Sequence, residues 1–120
     1  MKRGEIWTVS GSGSQVGKPR PAVIIQDERF EATGSIAVCA LTTDPTEIPL
    51  LRLPVAPSTQ NGLRQPCRLM VDRITTMPRS RMGARIGQLE PEIVGELDRA
   101  LMVFLGLAAR RGAASRAARH

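Results

Sequence analysis

The residues best suited to chemistry lie in two short stretches, each at the mouth of an apolar run. The first is Gly17-Lys18-Pro19-Arg20-Pro21-Ala22-Val23-Ile24-Ile25. Pro19 and Pro21 each fix their own φ and bias the preceding residue toward extended geometry, so Arg20 leaves the loop in a nearly set direction. A guanidinium is a planar fork of donors that matches phosphate oxygens. The plain alternative is a surface arginine whose charge is merely solvated. The second stretch is Thr42-Thr43-Asp44-Pro45, at the end of the apolar run Ser35 to Leu41. Two hydroxyls there can donate to a phosphate oxygen. They can equally cap a turn before Pro45, the commoner role for such residues.

Other chemistries find little support. His120, the only histidine, stands at the end of a basic tail and is a poor catalyst. Cys39 and Cys67 lie far apart without metal spacing, each flanked by strand-like residues, and read as reduced core thiols in preference to a disulfide, with no zinc site to be built from them. No metal or cofactor is expected. Gly17-Lys18 is followed by Pro19 and leads into a strand, which removes a phosphate-binding P-loop.

The elements that must position Arg20 and the threonines are short strands. Glu5 to Val9 alternates, with Ile6 and Thr8 on one face and Trp7 and Val9 on the other. Trp7 reads as a core anchor rather than a base-stacking platform. A Gly/Ser loop from Ser10 follows, longer than a tight hairpin, as binding loops and lids often are. Strands are expected over Ala22 to Gln26, Ser35 to Leu41, Pro49 to Val55, Cys67 to Met77 as one strand or two, and Arg85 to Leu89, with a helical turn over Pro78 to Met82. Pro54 cannot donate to a ladder, so its strand belongs at an edge. Turn signals at this spacing favour a small curved sheet or partial barrel.

One helix closes the chain, near residues 91–107. Pro91 and the acids Glu90 and Glu92 suit a first turn. Ile93, Leu97, Ala100, Leu101, Phe104 and Ala108 recur at helical spacing as the core-facing stripe. Met102, Val103 and Leu105 fall outside it, so the second half is apolar nearly all round and needs a second cover, a homodimer or partner interface.

Composition bounds the partner. The 120 residues fit one domain, taken as 1–109, with 110–120 as a basic, disordered tail. A formal charge of +6 points to an acidic partner, nucleic acid or an acidic protein segment, although Arg110, Arg111, Arg116 and Arg119 place part of the excess in the tail. One Trp, two Phe and no Tyr argue against recognition of RNA by aromatic stacking. No signal peptide follows Lys2 and Arg3, and the run Ala100 to Ala109 is about half the roughly 20 residues that span a bilayer. A cytoplasmic protein is expected.

Taken together, Arg3-Gly-Glu-Ile-Trp7, the Gly/Ser loop, the Gly17 to Ile25 stretch, Cys39-Ala-Leu-Thr-Thr43 and Arg81-Met-Gly-Ala-Arg-Ile-Gly-Gln-Leu89 before the helix resemble the MazF/PemK-type toxins of bacterial toxin–antitoxin pairs. The resemblance runs from Arg3 to about Leu107. It implies an α+β chain, mainly β with a C-terminal helix, as an SH3-like PemK-type barrel. It also implies a homodimer, a cognate antitoxin that alone brings any DNA association, and metal-free cleavage of single-stranded RNA to 2′,3′-cyclic phosphate and 5′-hydroxyl ends. The family's catalytic pair falls on Arg20 and Thr42, with Thr43, Gln15, Lys18, Arg73 and Thr75 as RNA-binding or supporting residues. RNA carries its own nucleophile in the 2′-OH, so aligning it and stabilising the phosphorane charge is the protein's task. Arginine hardly deprotonates, so no general base is assigned.

The chain departs from the family in carrying Gln15 where many members have an acid, Arg73-Ile-Thr-Thr76 where Gln-Ile-Arg-Thr is common, and an Arg-rich tail. The first two bear on RNA sequence preference. A noncatalytic barrel that acts on a protein such as a topoisomerase, or binds RNA without cutting it, stands as the alternative.

Overall fold

Alternating side chains build a sheet with two unlike faces. The computed structural model describes residues 1–10 and 18–108. Its strands are β1 (Glu5–Val9), β2 (Arg20–Ile24), β3 (Ser35–Thr42), β4 (Arg52–Val55), β5 (Cys67–Pro78) and β6 (Met82–Gln88), followed by one helix, α1 (Pro91–Phe104). The strands lie antiparallel in the order β4-β5-β3-β2-β1-β6. Ile6, Val23, Cys39, Leu41, Leu69 and Val71 go to one face, where Leu97 and Leu101 of α1 cover them. Ala22, Ile24, Ile36 and Val38 go to the other, with Trp7, Val9, Met77 and Met82 packed around them and no helix above. The expected mainly-β fold with a C-terminal helix is the one found.

The strand boundaries differ in ways that matter to the site. β2 begins at Arg20, two residues earlier than expected, because the ladder to β1 continues through Thr8↔Pro21 and Val9↔Arg20. Pro21 is tolerated there because the ladder to β3 starts only at Ala22↔Ala40, so no bond on that side needs its missing N–H. β5 is one strand of 12 residues, and β6 begins at Met82 rather than Arg85. β4 takes the expected edge, with Pro54 opposite Arg68. A single 3-10 turn, Arg79–Arg81, stands inside the anticipated helical turn.

Register shifts in β1–β6 and β3–β5 bend the sheet, and the turn after β4 bridges its two edges. Gln88 N–H on β6 donates to the Gln60 carbonyl at 2.9 Å. The approach is close enough that a Cβ on Gly87 would lie 2.2 Å from the Asn61 carbonyl oxygen. The curved sheet therefore wraps one core as a partial barrel does.

Helix α1 ends sooner than its apolar run. Gly106 adopts φ 74°, its N–H bonds to the Val103 carbonyl, and Leu107 N–H bonds to that of Met102 at 2.7 Å, the paired bonds of a Schellman stop. The expected stripe needs two corrections, the first being Ala108, which lies beyond the last residue of the helix. Phe104, the second, lies two turns beyond Leu97 on nearly the same azimuth, yet it is 44% exposed. Val94, in contrast, packs on the core beside Ile93 and Ala100. Met102, Val103, Leu105 and Leu107 are exposed, as a helix awaiting a second cover requires. Trp7 is half-buried on the second cluster, its Nε1–H donating to Glu5 Oε1 at 2.9 Å, in keeping with an anchor. Gln15 and the tail 110–120 lie outside the described residues.

Candidate functional site

The face without a helix carries the charged cleft. Alternation along β2 puts Arg20 on the same face as Ala22 and Ile24, and along β3 it puts Thr42 on the same face as Val38. Continuing the Ala22↔Ala40 register two residues sets Arg20 across from Thr42. Thr43, one residue on, is exposed and lines different hollows, with Pro19, Pro21, Cys67 and Arg68.

Arg20 is exposed at the wall of a cleft of about 650 Å³ whose floor includes Pro21, Ala40 and Ile74. Arg73, Thr75 and Arg81 line the same cleft. Among the described residues none of these three arginines forms an ion pair, so their donors face the cleft uncommitted. The one acid in the wall, Asp72, is taken up by Arg52, whose Nη1 donates to Asp72 Oδ1 at 2.5 Å and to the Leu51 carbonyl at 2.8 Å. That hydrogen bond holds the Asp72 carboxyl below its ordinary range. The Arg52 side chain is 10% exposed and its Nη1 is spent on these two partners, so the pair leaves no free acid in the cleft. What remains toward solvent is a positive hollow suited to an extended anion.

Thr42 stands beside this cleft, in an adjoining depression of about 180 Å³ that shares Met70 and Arg73 with it. Its Oγ1 accepts the Asp44 N–H at 3.1 Å, which fixes the rotor and leaves the hydroxyl proton free to donate. The turn-capping role and the donor role are therefore compatible in one residue.

Of the residues singled out in the sequence, Arg20, Arg73 and Thr75 come together in one cleft and Thr42 adjoins it. Lys18 is exposed and stands apart from the residues walling that cleft, and Gln15 falls outside the described residues. Arg81, which the sequence offered only as the start of a motif and not as a site residue, is brought to the cleft by the 3-10 turn, its carbonyl accepting from Ser10 N–H of the β1 end at 3.0 Å. The sequence reading passed over the Arg52–Asp72 pair, although an arginine inside the apolar run Leu50-Leu51-Arg52-Leu53 is itself a sign of a buried charge with a partner. Cys39 is no rival nucleophile. Burial, then the nearby Asp72 charge, pushes its thiol up to about 12, and Sγ donates to the Met70 carbonyl at 3.2 Å. Among the described residues no cluster of His, Cys, Asp and Glu is arranged to hold a metal ion, and no helix is long and apolar enough to cross a membrane.

Known proteins share both sequence and fold with this chain. It is 47% identical over 108 residues to a probable endoribonuclease MazF of Mycolicibacterium smegmatis, covering 90% of this chain and 99% of that one. It is 26% identical over 113 residues to the endoribonuclease EndoA of Bacillus subtilis, covering 89% and 96%. The fold matches a mycobacterial endoribonuclease solved with its cognate antitoxin, with a TM-score of 0.74 at 23% identity over 92% of this chain and 99% of that one. A MazE–MazF complex from Deinococcus radiodurans matches at 0.75 and 17% identity, over 90% and 97%. Residues 2–105 match the family described as the PemK-like, MazF-like toxin of type II toxin-antitoxin systems, and the chain belongs to that family.

Proposed function

We propose that the protein is an endoribonuclease toxin that cuts single-stranded RNA at a phosphate held by Arg20, with Thr42 as hydroxyl donor. The observation that carries this reading is Arg20 at the start of β2, without an ion pair among the described residues, facing a cleft with Arg73 and Arg81 and standing across the register from Thr42. The substrate's own 2′-oxygen forms the new bond to phosphorus, and the bond to the 5′-oxygen breaks. The products are a 2′,3′-cyclic phosphate and a 5′-hydroxyl, the 5′-oxygen taking up a proton as it leaves and the 2′-oxygen losing one. Arg20 neutralises charge that grows on the equatorial oxygens, and Thr42 adds a directed O–H; preorganised donors of this kind are worth most where water is partly displaced. With the nucleophile supplied by the substrate and the charge met by a guanidinium, the chemistry has no step that calls for a metal.

Arg73 and Thr75 are assigned to grip the RNA beside the reacting phosphate, with Thr43 on the far side of the strand end. The exposed apolar end of α1, above a groove walled by Ile25, Ile74, Leu101 and Leu105, is assigned as cover for a second copy of the chain and for an antitoxin segment. The endoribonuclease names of the relatives and the antitoxin-bound structures support an RNA substrate and an antitoxin partner, and the cytoplasm is the proposed place of action.

The test is incubation with a long single-stranded RNA in excess EDTA, beside Arg20→Ala, with both fragment ends mapped. Discrete cuts with 5′-hydroxyl ends, lost in the variant, are expected. Intact RNA from folded protein would instead favour a binding module.

A further inference from the structure

Beside the reacting position lies a small hollow unlike the main cleft. Thr42, Asp44, Thr46, Arg52 and Arg73 wall it, with Met70 at its base. The cleft offers arginines with its one acid spent, whereas the hollow sets a carboxylate next to guanidinium donors. A carboxylate repels phosphate. A donor and an acceptor side by side match the edge of a nucleobase instead.

The carboxylate is also fixed. Asp44 Oδ1 accepts from Thr46 N–H at 2.9 Å and from Thr46 Oγ1–H at 2.6 Å. Its other oxygen has no partner among the described residues. Those Thr46 bonds, with Arg52 and Arg68 nearby, hold the carboxyl below its ordinary range, so it is an acceptor only at neutral pH. Arg52 enters from the side: its Nη1 is committed to Leu51 and Asp72, while Nε and Nη2 have no partner among the described residues.

We propose that this hollow is a base-reading subsite for the nucleotide next to the cut, in which the free oxygen of Asp44 accepts from the exocyclic amino group of cytosine or adenine. Arg52 and Arg73 face the acceptor atoms of the same base. Uracil and guanine carry a carbonyl at the corner where cytosine and adenine carry the amino group, and Asp44 meets that carbonyl with like polarity. Discrimination therefore comes from repulsion as well as attraction. The inference rests on the ribonuclease reading and adds Asp44 and Thr46, which the family resemblance did not single out, as specificity residues.

The experiment compares wild type, Asp44→Asn and Thr46→Val on a randomised single-stranded RNA pool, reading base preference at every position around the cut. Wild type is expected to favour cytosine or adenine by about tenfold or more at one nucleotide bordering the cut. Asp44→Asn, which presents an amide donor, should relax that preference to about threefold or less while every other position keeps its own. Thr46→Val keeps the carboxylate but frees it to rotate, and should soften the same position partway, so the test survives if Asp44→Asn does not fold. Unchanged preferences in both variants, a preference for uracil or guanine at the affected position, or a uniform loss of cutting across all sequences would each overturn the subsite. Wild type that cuts no RNA would overturn the ribonuclease reading itself, and this inference with it.

Discussion

Asn61 offers the sharpest test of how the turn after β4 is held against the rest of the fold. It is the one fully buried polar side chain among the described residues, and it spends all its capacity. Oδ1 accepts from Ser58 N–H at 2.9 Å and from Leu63 N–H at 3.0 Å. Nδ2 donates to the Ala56 carbonyl at 2.8 Å and to the Glu90 carboxylate at 3.2 Å. Asn61→Ala therefore strands two N–H groups, one carbonyl and part of a carboxylate. At about 1 kcal/mol for each neutral bond and somewhat more for the charged one, the loss is about 4 kcal/mol, a fall in Tm of about 15 °C or more. Asn61→Asp goes further by setting a second carboxylate beside Glu90, so one of the pair must hold its proton in the folded state. A carboxyl raised above its unfolded value of about 4 makes stability fall as pH rises toward the folded value. The Asp variant should thus be worse than the Ala variant at pH 7, with the gap narrowing toward pH 5. Urea unfolding of both variants at the two pH values measures this. An Ala variant within about 1 kcal/mol of wild type, or a gap indifferent to pH, would refute the reasoning.

Three further outcomes follow from single contacts. Gly87→Ala should lower Tm sharply, since its Cβ would meet the Asn61 carbonyl at 2.2 Å with backbone on both sides, while Gly34→Ala, with open space around it, should change Tm little; thermal melts of the two decide it. Cys39 should resist iodoacetamide at pH 8 and label only on unfolding, because its thiol is pushed up to about 12 by burial; fast labelling in the native state, read by mass spectrometry, would contradict the buried geometry. Val103→Asp with Leu105→Asp should give a folded monomer by light scattering, since both side chains are about half exposed on the uncovered end of α1; persistence of a dimer would place its interface elsewhere.

What the sequence made legible, and what it hid, divides along the reach of each interaction. The two prolines around Arg20 act on neighbouring residues, and the direction they impose on it is the one observed. The choice between Thr42 and Thr43 came from the family resemblance, and period-two alternation supports it. Adjacent strand residues face opposite ways, so only one of the pair can share the face of Arg20, and the β2–β3 register makes it Thr42. The end of α1 was written in Gly106, but the apolar residues flanking it carried the expectation past a stop that only left-handed backbone makes visible. Long-range geometry was the part out of reach. Between Cys39↔Ile74 and Leu41↔Leu69, β5 spends five residues against two of β3. That slip turns Asp72 and Arg73 toward the cleft, and no local pattern encodes it. The same slip leaves Asp72 within reach of Arg52, spending the acid that would otherwise oppose a bound phosphate. The positive character of the cleft thus depends on a pairing between β4 and β5 as much as on Arg20. Removing Arg52 would weaken the site by releasing an anion into it, even though the Arg20 side chain were untouched.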